Sequence, residues 1–258
     1  MWGAIIGDLA GSIYEGDQID GIHPVSVKKL IDDKSFYSDD TILTIAILDA
    51  YLSDKDYEGK LKEYVKNYKD TKHPMFESPF SPGFIRWAEG KRDNNSIGNG
   101  AMMRISPIPY LANDYIEMIT EVNNATRTSH DTDEAVDSAS IISSIMFSSL
   151  HGVSKEDLIN EYASHINFHP FNRFNATCYE TLNNCLYALF SSKSFEEAIK
   201  KVLSYGGDTD TNACIVGAMA EALYGVPDEL IEQAKEKLPN EFIELVEEAY
   251  NKNNSKVK

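Results

Sequence analysis

The sequence has little cysteine, few basic residues and no long apolar run. Its three cysteines, Cys178, Cys185 and Cys214, are an odd number without metal-type or redox-type spacing, so we expect reduced core residues. Lysine and arginine total 24 against 41 aspartates and glutamates, which gives a formal net charge of -17. This acidic balance opposes an extended nucleic-acid interface, which needs many cations along the phosphate backbone, but it allows a local pocket for a small anion.

Membrane and secretory signals are also missing. No uninterrupted apolar stretch reaches the length of a transmembrane helix, and Asp8 interrupts an N-terminal apolar run that has no basic residue before it. We therefore expect no membrane association and a cytoplasmic location.

No repeat, linker or change of composition divides the 258 residues, so 1–258 is predicted to form one domain, with the last residues, 251–258, frayed.

Apolar residues recur at helical spacing along most of the chain, and strand patterns are rare. This pattern predicts an all-α fold. Segments 194–203, 227–236 and 239–252 carry charged outer faces and are predicted to be peripheral helices. Segment 69–100 is the least regular because it is rich in proline and glycine, and it is a candidate wall of a site.

Two oxygen-rich runs are the most informative feature of the chain. Ser38-Asp39-Asp40-Thr41 and Gly206-Gly207-Asp208-Thr209-Asp210-Thr211 each lead directly into an apolar, helix-like segment. Helix capping explains one such run, but two runs with more acids than a cap needs favour a metal site, and both roles can coexist. Carboxylate and hydroxyl oxygens without cysteine or a neighbouring histidine favour Mg²⁺, Mn²⁺ or Ca²⁺ over Zn²⁺.

The N-terminal segment combines glycines with one acid. Gly7 and Gly11 flank Asp8 in an otherwise apolar helix, where the glycines are expected to permit close helix packing. Asp8 is either a residue that orients metal ligands or a buried hydrogen-bond hub, and we favour the structural role.

Four ordered segments resemble the ADP-ribosylglycohydrolase family over nearly the whole chain. They are 3–15, 36–41, 96–104 and 206–211. The resemblance implies a single compact, orthogonal multi-helix, all-α domain with two Mg²⁺ or Mn²⁺ ions at the bottom of a cleft that binds ADP-ribose. It further implies hydrolysis of the bond between C1″ of ADP-ribose and an acceptor, most often a protein arginine or serine side chain; small-molecule ADP-ribose adducts are alternative substrates.

The resemblance also assigns candidate roles to residues. The residues predicted to be catalytic are Glu15, Asp39 and Asp210. Glu15 is expected to act as an acid/base or gating carboxylate; the alternative is that it is only a solvated loop residue. The metal ligands implied are Ser38, Asp39, Asp40, Asp208, Asp210 and Thr211. The substrate-binding residues implied are Ser96, Ile97, Gly98, Asn99, Gly100 and His130.

Some positions depart from the family pattern or leave a choice open. Relatives more often have threonine at the position of Ser38, and the serine keeps the hydroxyl. They frequently have tyrosine at the position of Ile97, and the isoleucine lacks its hydroxyl and ring.

An aromatic cluster could stack on adenine or belong to the core. Its members are Tyr162, Phe168, Phe171 and Phe174. The pocket for the leaving group is expected from loops 16–35 and 69–95, while the other five histidines receive no role.

Three classes of function are therefore compared. The complete acidic set favours an active hydrolase that reverses ADP-ribosylation. A non-catalytic descendant that binds ADP-ribose or serves as a structural protein is the alternative, and loss of Glu15 or a metal ligand would have favoured it. An unrelated helical Ca²⁺- or Mg²⁺-binding protein is the third. The target linkage and the oligomeric state are left open.

Overall fold

The computed structural model describes residues 1–256, with side chains through Lys252. Within this part of the chain there is no strand, only isolated bridges that pair Asn95 with His130 and Gly98 with Thr177. The predicted all-α class is therefore confirmed. The helices are α1 (Trp2–Gly11), α2 (Glu15–Gln18), α3 (Asp39–Leu52), α4 (Tyr57–Tyr68), α5 (Pro82–Ala88), α6 (Gly100–Met103), α7 (Pro107–Leu111), α8 (Tyr115–Arg127), α9 (Asp133–Leu150), α10 (Lys155–Glu161), α11 (Cys178–Phe190), α12 (Phe195–Leu203), α13 (Thr209–Tyr224), α14 (Asp228–Lys235) and α15 (Asn240–Lys256), with a 3-10 turn at Ala163–His165.

Helices α1 and α13 form the centre of the domain. Every residue of α1 is buried, as is α13 from Thr209 to Ala220. A methyl group added at Gly7 would lie 2.0 Å from the carbonyl oxygen of Ala213, so the two backbones are in direct contact at this point. The close helix packing predicted from the glycine pattern is confirmed, and it places Asp8, the one acid of α1, beside the start of α13.

Four further helices surround this central pair. Helix α3 packs on α1, while α9, α11 and α12 pack on α13. The helix starts agree with the cap residues of the sequence, since Ser38 accepts a hydrogen bond from the amide of Asp40 and Thr132 accepts one from Ala135. The three cysteines are buried and free, as expected.

The C-terminal helices pack on the outside of the core. Helices α12, α14 and α15 correspond to the three predicted peripheral segments, and α15 inserts Phe242, Val246 and Ala249 into the core. Of the segment predicted to fray, residues 251–256 continue α15, and 257–258 lie outside the described residues. None of the helices in the described part is both long and apolar enough to cross a membrane.

Segment 69–100 is largely irregular and holds the short helix α5. The bridge between Asn95 and His130, with the hydrogen bond from the amide of Asp131 to the carbonyl of Asn94, fastens it to the turn that precedes α9. The side chain of Trp87 donates to the carbonyl of Thr128 at 2.9 Å. These contacts hold the segment against the open side of the helix bundle.

Candidate metal centre

Acidic side chains from separate parts of the chain converge at the head of α13. Carboxylate oxygens of Asp8, Asp40 and Asp210 lie within 4.8 Å of one another, and so do those of Glu15, Asp208 and Asp210. The two groups share Asp210, which is on the first turn of α13. The arrangement offers two adjoining sets of oxygen ligands.

The hydrogen bonds of the first group leave two buried oxygens free. Oδ2 of Asp8 accepts from the amides of Ser38 and Thr41 at 2.9 and 3.1 Å and from the Thr41 hydroxyl at 2.5 Å. Oδ1 of Asp8 and Oδ1 of Asp40 have no hydrogen-bond partner among the described residues. Because a buried carboxylate oxygen without a donor or cation is costly, these residues fit a hard divalent cation.

Hydroxyl groups connect the two oxygen-rich runs. Ser38 Oγ donates to Oδ2 of Asp40 at 2.9 Å, and Thr211 Oγ1 donates to the same oxygen at 3.3 Å. Ser38 also caps α3, so capping and membership of the acidic cluster coexist in one residue. Asp8 is the hydrogen-bond hub that the sequence favoured, and it is in addition a potential ligand that the sequence did not identify.

The carboxyl groups of the cluster have raised pKa values, because the protein itself places little positive charge near them. Burial, followed by repulsion from Asp208 and Asp39, raises the pKa of Glu15 to about 8. Burial and the charges of Asp8 and Asp208 raise the pKa of Asp39 to about 8, although the Arg104 guanidinium opposes this. Burial and neighbouring carboxylates also raise the pKa of Asp40 and Asp210 well above the ordinary range. A bound cation would compensate this excess of negative charge.

The acidic cluster forms one wall of a cavity of about 1050 Å³. The predicted catalytic and metal-binding residues that line it are Glu15, Ser38, Asp39, Asp208, Asp210 and Thr211. Asp40 is fully buried and is reached through Ser38 and Thr211. All the predicted ligands are therefore together.

The predicted substrate loop lies on the same cavity, with one exception. Ser96, Gly98, Asn99 and Gly100 line it, whereas Ile97 does not and is 46% exposed. The carbonyl of Ile97 accepts from the amide of Cys178, which fixes the turned-out orientation of this residue. The structure thus separates Ile97 from the other predicted substrate contacts.

His130 is buried and lines the cavity beside this loop. Burial, then the positive charges of Arg104 and Arg92, hold the pKa of His130 well below its ordinary value. His73, to which the sequence gave no role, also lines the cavity; its Nδ1 accepts from the amides of Met75 and Phe76. Ile19 and several residues between 73 and 93 also line the cavity, and they belong to the two loops predicted for the leaving group.

The aromatic wall of the cavity differs from the predicted cluster. Of the four aromatic residues between 162 and 174, Phe174 lines the cavity, whereas Phe168 packs on Tyr187 and Tyr205. Phe80, Phe84 and Trp87 line it instead, with Phe84 and Trp87 stacked at a centroid separation of 5.0 Å. In the sequence these three residues are separated by four and then three positions, the spacing of one helix face, and this pattern could have identified them.

Comparisons with known proteins identify the family of this chain. A sequence model of the ADP-ribosylglycohydrolase family matches residues 1–257. The ADP-ribosylarginine hydrolase Tri1 of Pseudomonas putida (strain GB-1) is 24% identical over 276 aligned residues, which cover 90% of this chain and 72% of that protein. A putative ADP-ribosyl glycohydrolase, L543, of Acanthamoeba polyphaga mimivirus is 51% identical over 39 residues, or 15% of this chain and 12% of that protein.

A solved structure shares the fold. A chain of an "ADP-ribosylglycohydrolase-related protein complex" superposes with a TM-score of 0.68 at 20% identity, covering 90% of this chain and 94% of the other. The likeness shows a common helical architecture. With the family match over almost the full length, it confirms the resemblance seen in the sequence: the chain belongs to the ADP-ribosylglycohydrolase family.

Proposed function

We propose that this protein is a metal-dependent hydrolase that cleaves the C1″ glycosidic bond between ADP-ribose and an acceptor. One observation carries the proposal: Asp210, which the two acidic groups share, borders a single cavity together with Glu15, Asp208, His130 and the 96–100 loop apart from Ile97. The Pseudomonas putida relative is named an ADP-ribosylarginine hydrolase, which favours arginine over serine as the acceptor. Among small-molecule substrates, an ADP-ribose adduct of the same linkage would fit the same site.

The residues of the acidic cluster would hold two Mg²⁺ or Mn²⁺ ions. The proposed ligands are Ser38, Asp39, Asp40, Asp208, Asp210 and Thr211, with Asp8 as a further candidate because its Oδ1 is unpartnered. When bound, such ions polarise ribose hydroxyls and lower the pKa of water. The protein would supply the oxygen ligands from the acidic wall of the cavity.

The chain's own side chains would position the substrate and move the proton. We assign the 96–100 loop and His130 to the ADP-ribose half of the substrate. Glu15 borders the cavity beside Asp208 and Asp210, and in its protonated form it would transfer a proton to the leaving nitrogen as the bond from C1″ to nitrogen breaks. A bond from water oxygen to C1″ would form, and the proton that this water loses would return to the Glu15 carboxylate. Asp39 and Asp210 would add negative charge that favours the oxocarbenium character of C1″.

The proposal is tested by mass-spectrometric detection of released ADP-ribose. Arginine-linked and serine-linked peptides are incubated with the protein in Mg²⁺, in Mn²⁺ and in EDTA, with Asp210→Ala as the inactive variant. We expect release from the arginine-linked peptide that requires both the cation and Asp210. A calorimetric titration with free ADP-ribose accompanies it.

Each outcome separates the candidate functions. Binding of ADP-ribose without release from either peptide would overturn the arginine and serine assignments and favour the non-catalytic alternative. Absence of ADP-ribose binding would contradict the substrate assignment altogether. Release that persists in EDTA would contradict the metal dependence.

A further inference from the structure

A buried arginine, a serine and a histidine are connected at the His130 end of the cavity. Arg104 is 0% exposed, and its Nη2 donates to Ser129 Oγ at 2.7 Å. Ser129 Oγ lies 2.7 Å from Nδ1 of His130. The same Nη2 of Arg104 lies 3.4 Å from that Nδ1. One ring nitrogen of His130 therefore faces both neighbours.

The chemistry of these groups determines where the ring proton lies. A guanidinium donates hydrogen bonds and cannot accept them. Nδ1 of His130 must accept if it is to face Nη2 of Arg104 favourably, and the Ser129 hydroxyl, which accepts from Arg104, is free to donate its own hydrogen to Nδ1. A hydrogen on Nδ1 would instead face the hydrogens of Arg104. The neutral ring thus carries its proton on Nε2.

Nε2 of His130 is directed to the predicted substrate loop. A methyl group added at Gly98 or at Gly100 would lie 3.6 Å from Nε2. Both glycines and the ring line the cavity. An N–H on Nε2 is therefore placed to donate to a ligand atom held beside this loop.

The charged surroundings keep the ring neutral. The two groups that act on its charge are Arg104, which follows α6, and Arg92, from segment 69–100; both are cations, and with burial they lower the pKa of His130. Within the described residues the hydrogen bonds of the ring go to Ser129 and Arg104, with no carboxylate among them. No acidic partner therefore attracts a proton to Nδ1.

Arg104 lacks the ion pair that is expected of a buried arginine with a purely structural role. Its guanidinium lies over the ring of Phe84 at 5.5 Å from the centroid, and among the described residues Nε and Nη1 have no hydrogen-bond partner. The charge of Asp39 acts on the guanidinium, but no carboxylate of the described residues forms an ion pair with it. A fully buried arginine without a direct carboxylate partner is costly, and the side-chain contacts that its Nη2 makes are those to Ser129 and His130.

We propose that Arg104 is a positioning residue which, with Ser129, fixes His130 as the Nε2–H tautomer and so presents an uncharged donor to an anionic ligand oxygen at the 96–100 loop. The ligand class is a phosphate-type oxygen. Its assignment to the diphosphate of ADP-ribose rests on the proposed function. The tautomer itself depends only on contacts within this chain.

The first experiment reads the tautomer directly. Long-range ¹H–¹⁵N spectra of the imidazole rings are recorded on the full chain with ¹⁵N-labelled histidine between pH 6 and 8, and His130→Gln identifies the His130 signals. We expect the pattern of a neutral ring protonated on Nε2 throughout this range. An Nδ1–H pattern, a charged ring or a rapidly averaged mixture would overturn the proposal.

The second experiment tests the connection through Ser129. Ser129→Ala is expected to mix the two tautomers and to weaken ADP-ribose binding about tenfold, the effect of one lost hydrogen bond, while Ser129→Thr retains the hydroxyl and both properties. Ser143→Ala is the matched control, since Ser143 is buried in α9 away from the cavity and its hydroxyl has no partner. An unchanged tautomer and affinity in Ser129→Ala would show that the serine does not position the ring.

These measurements are independent of hydrolysis. If the protein releases no ADP-ribose from any peptide but the ring is held as Nε2–H, the proposed function fails and the positioning role stands. If release occurs and the ring is not held in this form, the positioning role fails alone.

Discussion

Asn99 and Asp208 join the substrate loop to the acidic cluster. Nδ2 of Asn99 donates to Oδ2 of Asp208 at 2.7 Å, and both side chains are buried. The bond fixes the orientation of a proposed metal ligand from a loop that is more than a hundred residues away in sequence. A residue proposed for substrate binding therefore also orients a carboxylate of the proposed metal centre.

Replacement of Asn99 by alanine should damage the metal centre without unfolding the protein. The Asp208 carboxylate would lose a donor that orients it, and loss of such a partner typically lowers metal affinity or activity by about 10- to 100-fold. Mn²⁺ titration and the rate of ADP-ribose release measure the effect. Asn167→Ala is the control, because the side chain of Asn167 donates an exposed, local hydrogen bond to the carbonyl of Ser164. Equal Mn²⁺ affinity in the two variants would contradict this role of Asn99.

The stability of the metal-free protein should fall as pH rises. Burial raises the pKa of Asp8 to about 6, and burial with nearby carboxylates raises those of Glu15 and Asp39 to about 8. The folded protein thus binds these protons more tightly than the unfolded chain, in which the acids titrate near pH 4 (about 3.9 to 4.3). The free energy of unfolding in EDTA should therefore decrease as the pH rises from about 4 to about 8. Thermal unfolding from pH 5 to 8 measures the trend.

Mg²⁺ or Mn²⁺ should reverse that trend because a cation stabilises the ionised carboxylates. The gain in melting temperature on adding Mn²⁺ should be larger at pH 8 than at pH 5. Asp40→Asn provides a sharp comparison: it removes a carboxyl group whose ionised form is destabilised by burial and by neighbouring carboxylates, and whose Oδ1 has no partner among the described residues. It should therefore weaken the fall in stability with pH in EDTA and abolish most of the gain from Mn²⁺. A gain that is the same at both pH values would indicate that the cation does not bind at this cluster.

The sequence could indicate the acids of the cluster because their chemistry is expressed in residue type and local order. Asp39, Asp40, Asp208 and Asp210 each stand at the beginning of a helix whose apolar pattern is unmistakable, so their convergence required only that α3 and α13 start at the same end of the core. The glycines of α1 indicated close packing in the same way. The fold class followed from helical periodicity, which is a local property.

Side-chain orientations set by distant contacts could not be predicted in this way. Ile97 turns out of the cavity because its backbone pairs with Cys178, and Gly98 pairs with Thr177, across about eighty residues of sequence. Oδ1 of Asp8 is left without a donor among the described residues because Ser38 and Thr41 both donate to Oδ2. Such outcomes are decided by tertiary packing, which local patterns do not specify.

Alanine at Gly7 should destabilise the whole domain. The added methyl group would overlap the backbone of Ala213, which cannot move without shifting α13, so we expect a loss of about 3 kcal/mol in the free energy of unfolding. Denaturant unfolding followed by circular dichroism measures it. Gly21→Ala is the control, because the nearest atom to the methyl group would be Nε2 of His23 at 3.7 Å, an ordinary van der Waals distance, and the backbone there is not left-handed, so its change should stay within about 1 kcal/mol.

Glutamine at Glu15 should separate catalysis from binding. Glu15 borders the cavity beside Asp208 and Asp210 but is only partly buried, so the neutral isostere should fold and should bind ADP-ribose within about threefold of the wild type, since one partly exposed contact changes. Proton transfer to the leaving group would be lost, which lowers the rate of ADP-ribose release by about 10²- to 10⁴-fold. Glu77→Gln, an exposed acid on the same cavity, controls for the change of charge. A Glu15→Gln protein that releases ADP-ribose at the wild-type rate would exclude Glu15 as the acid/base residue and would move that role to another carboxylate of the cluster.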